Sequence, residues 1–239
     1  MGTELSLKST DYLMLSEPER VGAILEANLG GERLRMGDLD QVKIPTGGMT
    51  QWAVDGPEGQ HFVPALSGII VHMHNQRSYY QGEYTGGNEK PDCSSPDGHT
   101  PYGNPGDELR LAGKSCEDCP LSQFGSGKNG GQACRQSRRV YLVQPGSLLP
   151  VVLTLSPTSL ANIRKYLLRL GTTPYYSVVT KFTLKQAVSK SGIKYSVANP
   201  EMVGRLDSEQ VTHVENFREA LIDSMRYQPQ QDSVDEVSF

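Results

Sequence analysis

Five stretches of alternating or continuous apolar residues in the middle of the chain predict β-strands. They are rich in β-branched and aromatic residues and are bounded by Gly, Pro and Ser. Between the third and the fourth stretch, residues 157–170 repeat apolar positions at helical spacing, with Ser156 as N-cap and Gly171 beyond the last turn. The predicted strands cover residues 65–81, 138–144, 148–155, 175–188 and 192–199.

The order of these elements points to a known architecture. Three strands, a helix and two further strands form the element order of the OB-fold, a small Greek-key barrel that binds oligonucleotides. The sequence therefore predicts a mainly β protein with flanking helices, in which residues 61–200 form an OB-like Greek-key barrel.

Helical spacing of apolar residues predicts one further helix on each side of this core. Residues 1–60 are expected to form an N-terminal helix, from Ser16 to Leu29, and a Gly-rich extension that contains the only tryptophan, Trp52. Residues 201–227 predict a C-terminal helix. The composition of residues 228–239 predicts a disordered acidic tail.

A Gly-rich segment interrupts the predicted core between its first and second strands. Residues 86–131 consist largely of Gly, Pro, Ser, Asn, Asp and Lys, so they contain too few apolar side chains to form a core. Long segments of this kind inside a domain are usually functional or are held by something other than packing. We therefore expect an insertion at about residues 86–135 that needs an additional stabilising element.

The four cysteines of the chain supply a candidate for that element. Cys93, Cys116, Cys119 and Cys134 have the spacing C-x22-C-x2-C-x14-C, and the close pair resembles the knuckle in which two thiolates share one tetrahedral Zn²⁺. Four sulfurs leave no open position, so we expect a structural zinc ion whose binding supplies folding energy. His99 could replace Cys93 as a ligand. A redox pair and unpaired thiols are the other interpretations.

The basic residues are concentrated in one part of an acidic chain. The protein has 23 Lys and Arg against 27 Asp and Glu, yet residues 120–200 contain eleven of the basic residues and none of the acidic ones. Such a separation of charge suits a polyanion-binding surface, because Lys and Arg displace the counterions that condense on phosphates. The alternative is a solvated face that is balanced by carboxylates elsewhere in the fold.

Aromatic residues are interleaved with these cations, as in proteins that hold single-stranded nucleic acid through a basic groove and stacked bases. Strand alternation puts Lys181 and Lys185 on one face of their strand, opposite Thr180 and Phe182. Removing this Lys pair, or the arginine pair at 138 and 139, is expected to weaken binding. The candidate nucleic-acid contacts are Arg135, Arg138, Arg139, Tyr141, Lys181, Lys185, Lys194, Tyr79 and Phe124.

Two segments carry a resemblance to a known group of proteins. The ending DSVDEVSF is similar to the acidic, Phe-terminated tips of bacterial single-stranded-DNA-binding proteins. The stretch LLPVVLTLSPTSLANIRKYLLRL, with C-x2-C upstream and YYSVVTKFTL downstream, resembles single-stranded-DNA-binding proteins of phages and mobile elements. Val237-Ser238 departs from the usual pair before the terminal Phe.

This resemblance implies a role in DNA replication and recombination, with single-stranded DNA as the ligand. It also implies that the tail recruits replication and recombination proteins. The tail residues that would do so are Asp232, Asp235, Glu236 and Phe239.

Enzymatic function is not expected, because the chain has no phosphate-binding Gly-Lys-Ser/Thr loop, no nucleophile elbow and no carboxylates within its basic region. A duplex-reading zinc regulator and an RNA-binding protein remain alternatives. No apolar run is long enough to span a membrane, and the N-terminus lacks the apolar region of a signal peptide. The expected location is the cytoplasm, that of the bacterial host if a phage encodes the protein.

Overall fold

The computed structural model describes residues 12, 17–32, 34–82, 90–103, 115–189 and 191–226. Within them the protein is mainly β, with a mixed eight-stranded sheet, a two-stranded sheet and three α-helices. None of the helices in this part of the chain is both long and apolar enough to cross a membrane. The helices are α1 (Pro18–Leu29), α2 (Leu160–Arg169) and α3 (Ser208–Arg226). The strands are β1 (Gln41–Lys43), β2 (Trp52–Val54), β3 (His61–Val63), β4 (Ala65–Tyr79), β5 (Cys93–Ser95), β6 (Tyr102–Gly103), β7 (Arg135–Val143), β8 (Val151–Leu155), β9 (Val178–Val188) and β10 (Lys194–Arg205).

The large sheet is centred on the long strand β4. Its main path is β1-β8-β7-β4-β5-β6, while β9 pairs with both β4 and β10. The sheet is mixed because β1 runs parallel to β8, whereas β4 pairs antiparallel with β5 and β9. Gly68 allows the close approach of β4 and β7, since a Cβ there would lie 2.3 Å from the carbonyl oxygen of Val143. No pairing among the described residues joins β10 to β8 or β1, so the predicted barrel is not closed by strand pairing.

The five predicted strands are present as β4, β7, β8, β9 and β10, and the predicted helix is α2. The sequence missed β1 and β2 in the Gly-rich extension, β3 at the start of the predicted core, and β5 and β6 in the insertion. Each of these has two or three residues, too few for a periodic pattern to be recognised.

The chain divides into two compact units. Unit 1 comprises Met1–His72, Val140–Thr154 and Ala161–Phe239, and unit 2 comprises Met73–Arg139 and Leu155–Leu160. In unit 1, one hydrophobic cluster joins Val21 of α1 and Val214 of α3 to the sheet residues Ile69, Tyr141 and Val179. The two flanking helices therefore cover a face of the sheet.

The N-terminal extension is attached to distant strands of unit 1. The Nε1–H of buried Trp52 donates to the carbonyl oxygen of Phe182 in β9 (3.1 Å). The Ser196 hydroxyl in β10 donates to the carbonyl oxygen of Met49 (2.7 Å). Because β1, a few residues earlier, pairs with β8, the segment from residue 41 to 52 contacts both β8 and the β9–β10 hairpin.

Arg218 connects α3 to the rest of unit 1 through two hydrogen bonds and a contact with an aromatic ring. Its Nε donates to the carbonyl oxygen of Val71 (2.6 Å), and its Nη2 donates to the hydroxyl of Tyr175 (3.0 Å). The guanidinium also lies 3.9 Å from the centroid of the Tyr176 ring. Strand alternation would place these two tyrosines on opposite faces, but Tyr175–Ser177 forms a 3₁₀ turn, so both rings reach Arg218.

His72 makes the stability of unit 1 sensitive to pH. Its half-buried ring lies 5.6 Å from the ring of Tyr141, and burial, followed by the positive charge of Arg218, lowers its pKa below 6.5. The unfolded chain therefore binds the proton more readily. The free energy of unfolding is expected to fall as pH decreases from above 6.5 through the folded-state pKa.

Urea unfolding at pH 7.5, 6.5 and 5.5 measures this dependence. The variant His72→Gln should show a smaller decrease over that range, whereas His61→Gln, at an exposed position, should follow the wild-type protein. An unchanged pH dependence in His72→Gln would contradict the assignment.

Candidate nucleic-acid interface and thiol cluster

The four cysteines converge in unit 2. Cys93 begins β5, Cys134 directly precedes β7, and Cys116 and Cys119 flank a tight turn. All four are buried, and none forms a disulfide. The insertion thus has a small core of its own, in which the Tyr79 side chain and Leu121 pack against Cys93 and Cys119.

Backbone hydrogen bonds hold the segments that carry the thiols. The Cys116 amide donates to the carbonyl oxygen of His99, and the Cys134 amide donates to that of Leu121, both at 2.8 Å. A backbone amide at Tyr102 donates to the thiol of Cys93, which favours its thiolate form.

The thiols affect one another electrostatically. Burial, only partly offset by the positive charge of Arg77, and the three neighbouring thiols raise the pKa of Cys134 to about 11. Burial, followed by Cys116 and Cys119, likewise raises the pKa of Cys93. In the described part of the chain, no group of three or more His, Cys, Asp or Glu side chains is arranged so that it could hold a metal ion as it stands.

The donor set nevertheless fits a zinc ion chemically. Four soft sulfur ligands are buried together, unpaired, and repel one another when ionised. A divalent cation among them would reverse that repulsion and favour the thiolates that zinc binds. Cys93 fits this set better than His99, because Cys93 is buried and coupled to the other thiols, whereas the His99 side chain is exposed.

The Gly-rich loop between Cys119 and Cys134 is tightly hydrogen-bonded. Within it, the Ser126 hydroxyl donates to the Leu121 carbonyl oxygen, and the Gly127 amide donates to that of Gly131, both at 2.9 Å. A Cβ on Gly127 would lie 2.8 Å from the backbone atoms of Gln132 and Ala133, at the other end of the loop. This braced loop presents Phe124 with 82% of its surface exposed.

In unit 2, β4 and β7 are neighbours in the sheet. Two side-chain hydrogen bonds between these strands show which of their residues share a face. Arg77 Nη2 donates to Gln136 Oε1 (3.2 Å), and Arg138 Nε donates to Asn75 Oδ1 (2.9 Å). These four side chains share one face. Since Tyr79, on the same side of β4, packs against Cys93, we call this the thiol face.

Strand alternation places the intervening residues on the opposite face, which we call the polar face. None of its members is a carboxylate, and all are at least partly exposed. The Nε of Arg139 is shielded from solvent and has no hydrogen-bond partner in the described structure. The polar face consists of His74, Gln76 and Ser78 from β4 and Arg135, Ser137 and Arg139 from β7.

One candidate nucleic-acid contact is wrong. Tyr141 is only 2% exposed and packs in the hydrophobic cluster of unit 1 beneath α1 and α3. The tyrosine is on a strand as expected, but the helices cover the face to which it belongs. It therefore has no ring face on which a base could stack.

The lysine candidates lie on the β9–β10 hairpin. Thr180 and Phe182 are buried while Lys181 and Lys185 are not, as the alternation predicts. Lys181 forms an ion pair with Glu201 of β10, which reduces the charge that it offers to a ligand. Lys185 and Lys194 are exposed.

The remaining candidates fall into two groups. Arg135, Arg139 and Phe124 are exposed or partly exposed in unit 2, whereas Arg138 and Tyr79 belong to the thiol face. The contacts predicted from the sequence do not include His74, Gln76, Ser78 and Ser137 of the polar face, although strand alternation around the arginines points to Ser137. The tail candidates Asp232, Asp235, Glu236 and Phe239 lie outside the described residues.

Comparison with protein-family models, curated proteins and solved structures found no match to this chain.

Proposed function

We propose that this chain is a non-catalytic single-stranded-DNA-binding protein that acts in replication or recombination and binds largely without regard to sequence. The observation that carries this proposal is the polar face of unit 2. It combines two arginines with hydroxyl, amide and imidazole groups and includes no carboxylate.

The arginines of this face suit a phosphate backbone. Arg135 and Arg139 make no ion pair within the described residues, and they are separated by roughly 13 Å along an extended strand, so they would contact different phosphates. The shielded Nε of Arg139 lacks an acceptor in the part of the chain that the structure describes, and an unsatisfied buried donor costs about 1–3 kcal/mol. A phosphate oxygen would supply the missing acceptor.

Exposed aromatic rings of the same unit favour a single strand over a duplex. Phe124 is the most exposed, and Tyr102 and Tyr80 are 48% and 37% exposed. Unstacked bases can lie on such rings, and stacking is tolerant of sequence. By contrast, Tyr141, Tyr166 and Phe182 are buried and serve the core.

The strand arrangement of unit 1 supports an OB-like fold. The order β8-β7-β4-β9-β10 is that of the five OB strands before the barrel closes. The gap between β8 and β10 is where the segment from β1 to Trp52 makes its contacts. We propose an OB-like barrel in which this segment takes the place of direct pairing between β8 and β10.

We also propose a structural Zn²⁺ bound by Cys93, Cys116, Cys119 and Cys134. When bound, the ion would supply the folding energy that a Gly-rich segment cannot obtain from apolar packing. The chain's own contribution is to bring four buried thiols together through β5, the Cys116–Cys119 turn and the start of β7. The acidic tail is proposed to recruit replication and recombination proteins in the cytoplasm.

Fluorescence anisotropy with a labelled oligo-dT, a duplex of equal length and an oligo-rU, each at several salt concentrations, tests this function. The double variant Arg135→Ala/Arg139→Ala should bind oligo-dT about 10- to 100-fold more weakly. Its slope of log K against log salt should shrink by about 1.4, because each phosphate contact on a single strand contributes about 0.7.

A matched control carries the same change of charge at another place. Arg164→Ala/Arg169→Ala removes two exposed arginines of α2 and should leave affinity and slope near the wild-type values. Equal losses in both double variants would mean that net charge, and not the polar face, governs binding. Tighter binding to the duplex or to oligo-rU would replace the proposal with a duplex regulator or an RNA-binding protein.

A further inference from the structure

Arg77 lies between the two strands that lead to the thiols of unit 2. Its strand, β4, pairs with β5, where Arg77 is opposite Ser95 and Tyr79 is opposite Cys93. On the other side β4 is adjacent to β7, which begins directly after Cys134. The position therefore places a guanidinium group beside the thiol cluster.

The hydrogen bonds of Arg77 are incomplete. Its Nη2 donates to the neutral amide oxygen of Gln136 (3.2 Å), while its Nη1 is shielded from solvent and has no hydrogen-bond partner among the described residues. It makes no ion pair with a carboxylate within the described residues. The Arg77 side chain is partly exposed, but a shielded donor of a charged group that has no partner is destabilising, so a negative charge close to Nη1 would stabilise this arrangement.

The four cysteines, once ionised, can provide the negative charge that Arg77 requires. Arg77 donates to Gln136, two residues after Cys134, and lies two residues before Tyr79, which packs against Cys93 and Cys119. Four thiolates around one Zn²⁺ carry a net charge of about −2, and this charge would be buried in unit 2, because all four cysteines are buried.

We infer that Arg77 is the built-in counter-charge of the metal centre and holds the zinc in place without being a ligand. Gln136 fixes the orientation of the guanidinium through Nη2 and leaves Nη1 for the sulfurs. Arg77 is thus a positioning residue, and its location on the thiol face separates it from the arginines proposed to contact DNA. The inference rests on the proposed zinc centre.

Zinc release from the full-length, zinc-loaded protein to a chromophoric chelator tests this role. Arg77→Met should release zinc faster, by up to the roughly 10- to 100-fold that loss of a partner of the metal ligands typically costs in metal affinity. Arg77→Lys, which keeps the charge, should retain most of the slow release. Arg164→Gln removes an exposed positive charge of α2 and should release zinc at the wild-type rate.

A second variant keeps the arginine and changes its partner. Gln136→Glu has nearly the same shape, but its carboxylate would pair with Arg77 and withdraw the charge from the sulfurs, so release should again be faster. If Arg77→Met does not fold, the rate of zinc release from Gln136→Glu tests the role of Arg77. The absorption spectrum of the Co²⁺-substituted protein checks that the four-sulfur coordination persists in each variant.

The results distinguish a failure of the proposed zinc centre from a failure of the role proposed for Arg77. Wild-type protein that binds no zinc would overturn the metal centre itself. Wild-type protein that binds zinc, with Gln136→Glu and folded Arg77→Met both releasing it at the wild-type rate, would overturn only the role of Arg77. Arg77→Lys releasing zinc as fast as Arg77→Met would also overturn that role, because shape rather than charge would then matter.

Discussion

Removal of zinc from the loaded protein with a strong chelator is expected to unfold the cysteine-bearing segment of unit 2. Structural zinc sites contribute about 10–16 kcal/mol in isolated zinc-finger peptides at neutral pH, more than a small Gly-rich segment gains from packing. Hydrogen–deuterium exchange measures the result. The amides of Cys116 and Cys134, which donate to His99 and Leu121, should lose their protection.

The variant Cys119→Ser should reproduce this loss without a chelator, because it removes one ligand of the proposed set. The amides that pair β9 with β10 in unit 1 provide the internal control and should stay protected. If the segment keeps its protection in metal-free protein, packing and hydrogen bonds hold the thiols together and the zinc proposal fails.

The substitution Trp52→Ala is expected to lower the free energy of unfolding by about 3–5 kcal/mol, the cost typical of truncating a large buried aromatic residue. Trp52 is completely buried, and its indole N–H satisfies the carbonyl oxygen of Phe182. Truncation would leave both a cavity and an unpaired acceptor. Urea unfolding followed by circular dichroism measures the change, since the variant lacks the only tryptophan of the chain.

The neighbouring strand offers a matched control. Phe62 of β3 is 53% exposed, so Phe62→Ala should change stability by no more than about 0.5 kcal/mol. Comparable losses from the two substitutions would mean that the extension contributes no specific anchor. In that case Trp52 would not be what joins the N-terminal segment to β9.

The parts of the fold that periodicity could predict are those in which one face of a long element is buried. In β9, Thr180 and Phe182 face the core while Lys181 and Lys185 do not, and the sequence carries that alternation directly. β1 and β2 could not be found in this way. They are short strands stabilised by distant partners, such as the Trp52 contact with Phe182.

The sequence could predict those parts of the candidate site that depend on residue type and spacing alone, but not those that depend on which residues the fold buries. The cysteine spacing predicts a zinc site; the structure buries all four cysteines in unit 2, and the zinc ion itself stays a prediction. The interleaving of aromatic and basic residues predicts a DNA contact for Tyr141, but this residue is buried. The sequence could predict α1 and α3 as helices, but it could not show which sheet face they would cover, because that depends on contacts such as Val214 with the sheet.

The contact between Trp52 and Phe182 has a consequence for synthesis of the chain on the ribosome. These residues are 130 positions apart, and β4 must likewise wait for β9 before its pairing is complete. Contacts of such long sequence separation slow folding. The four cysteines, by contrast, have all been made before β9 and β10, so the thiol segment can form its contacts while unit 1 is still incomplete.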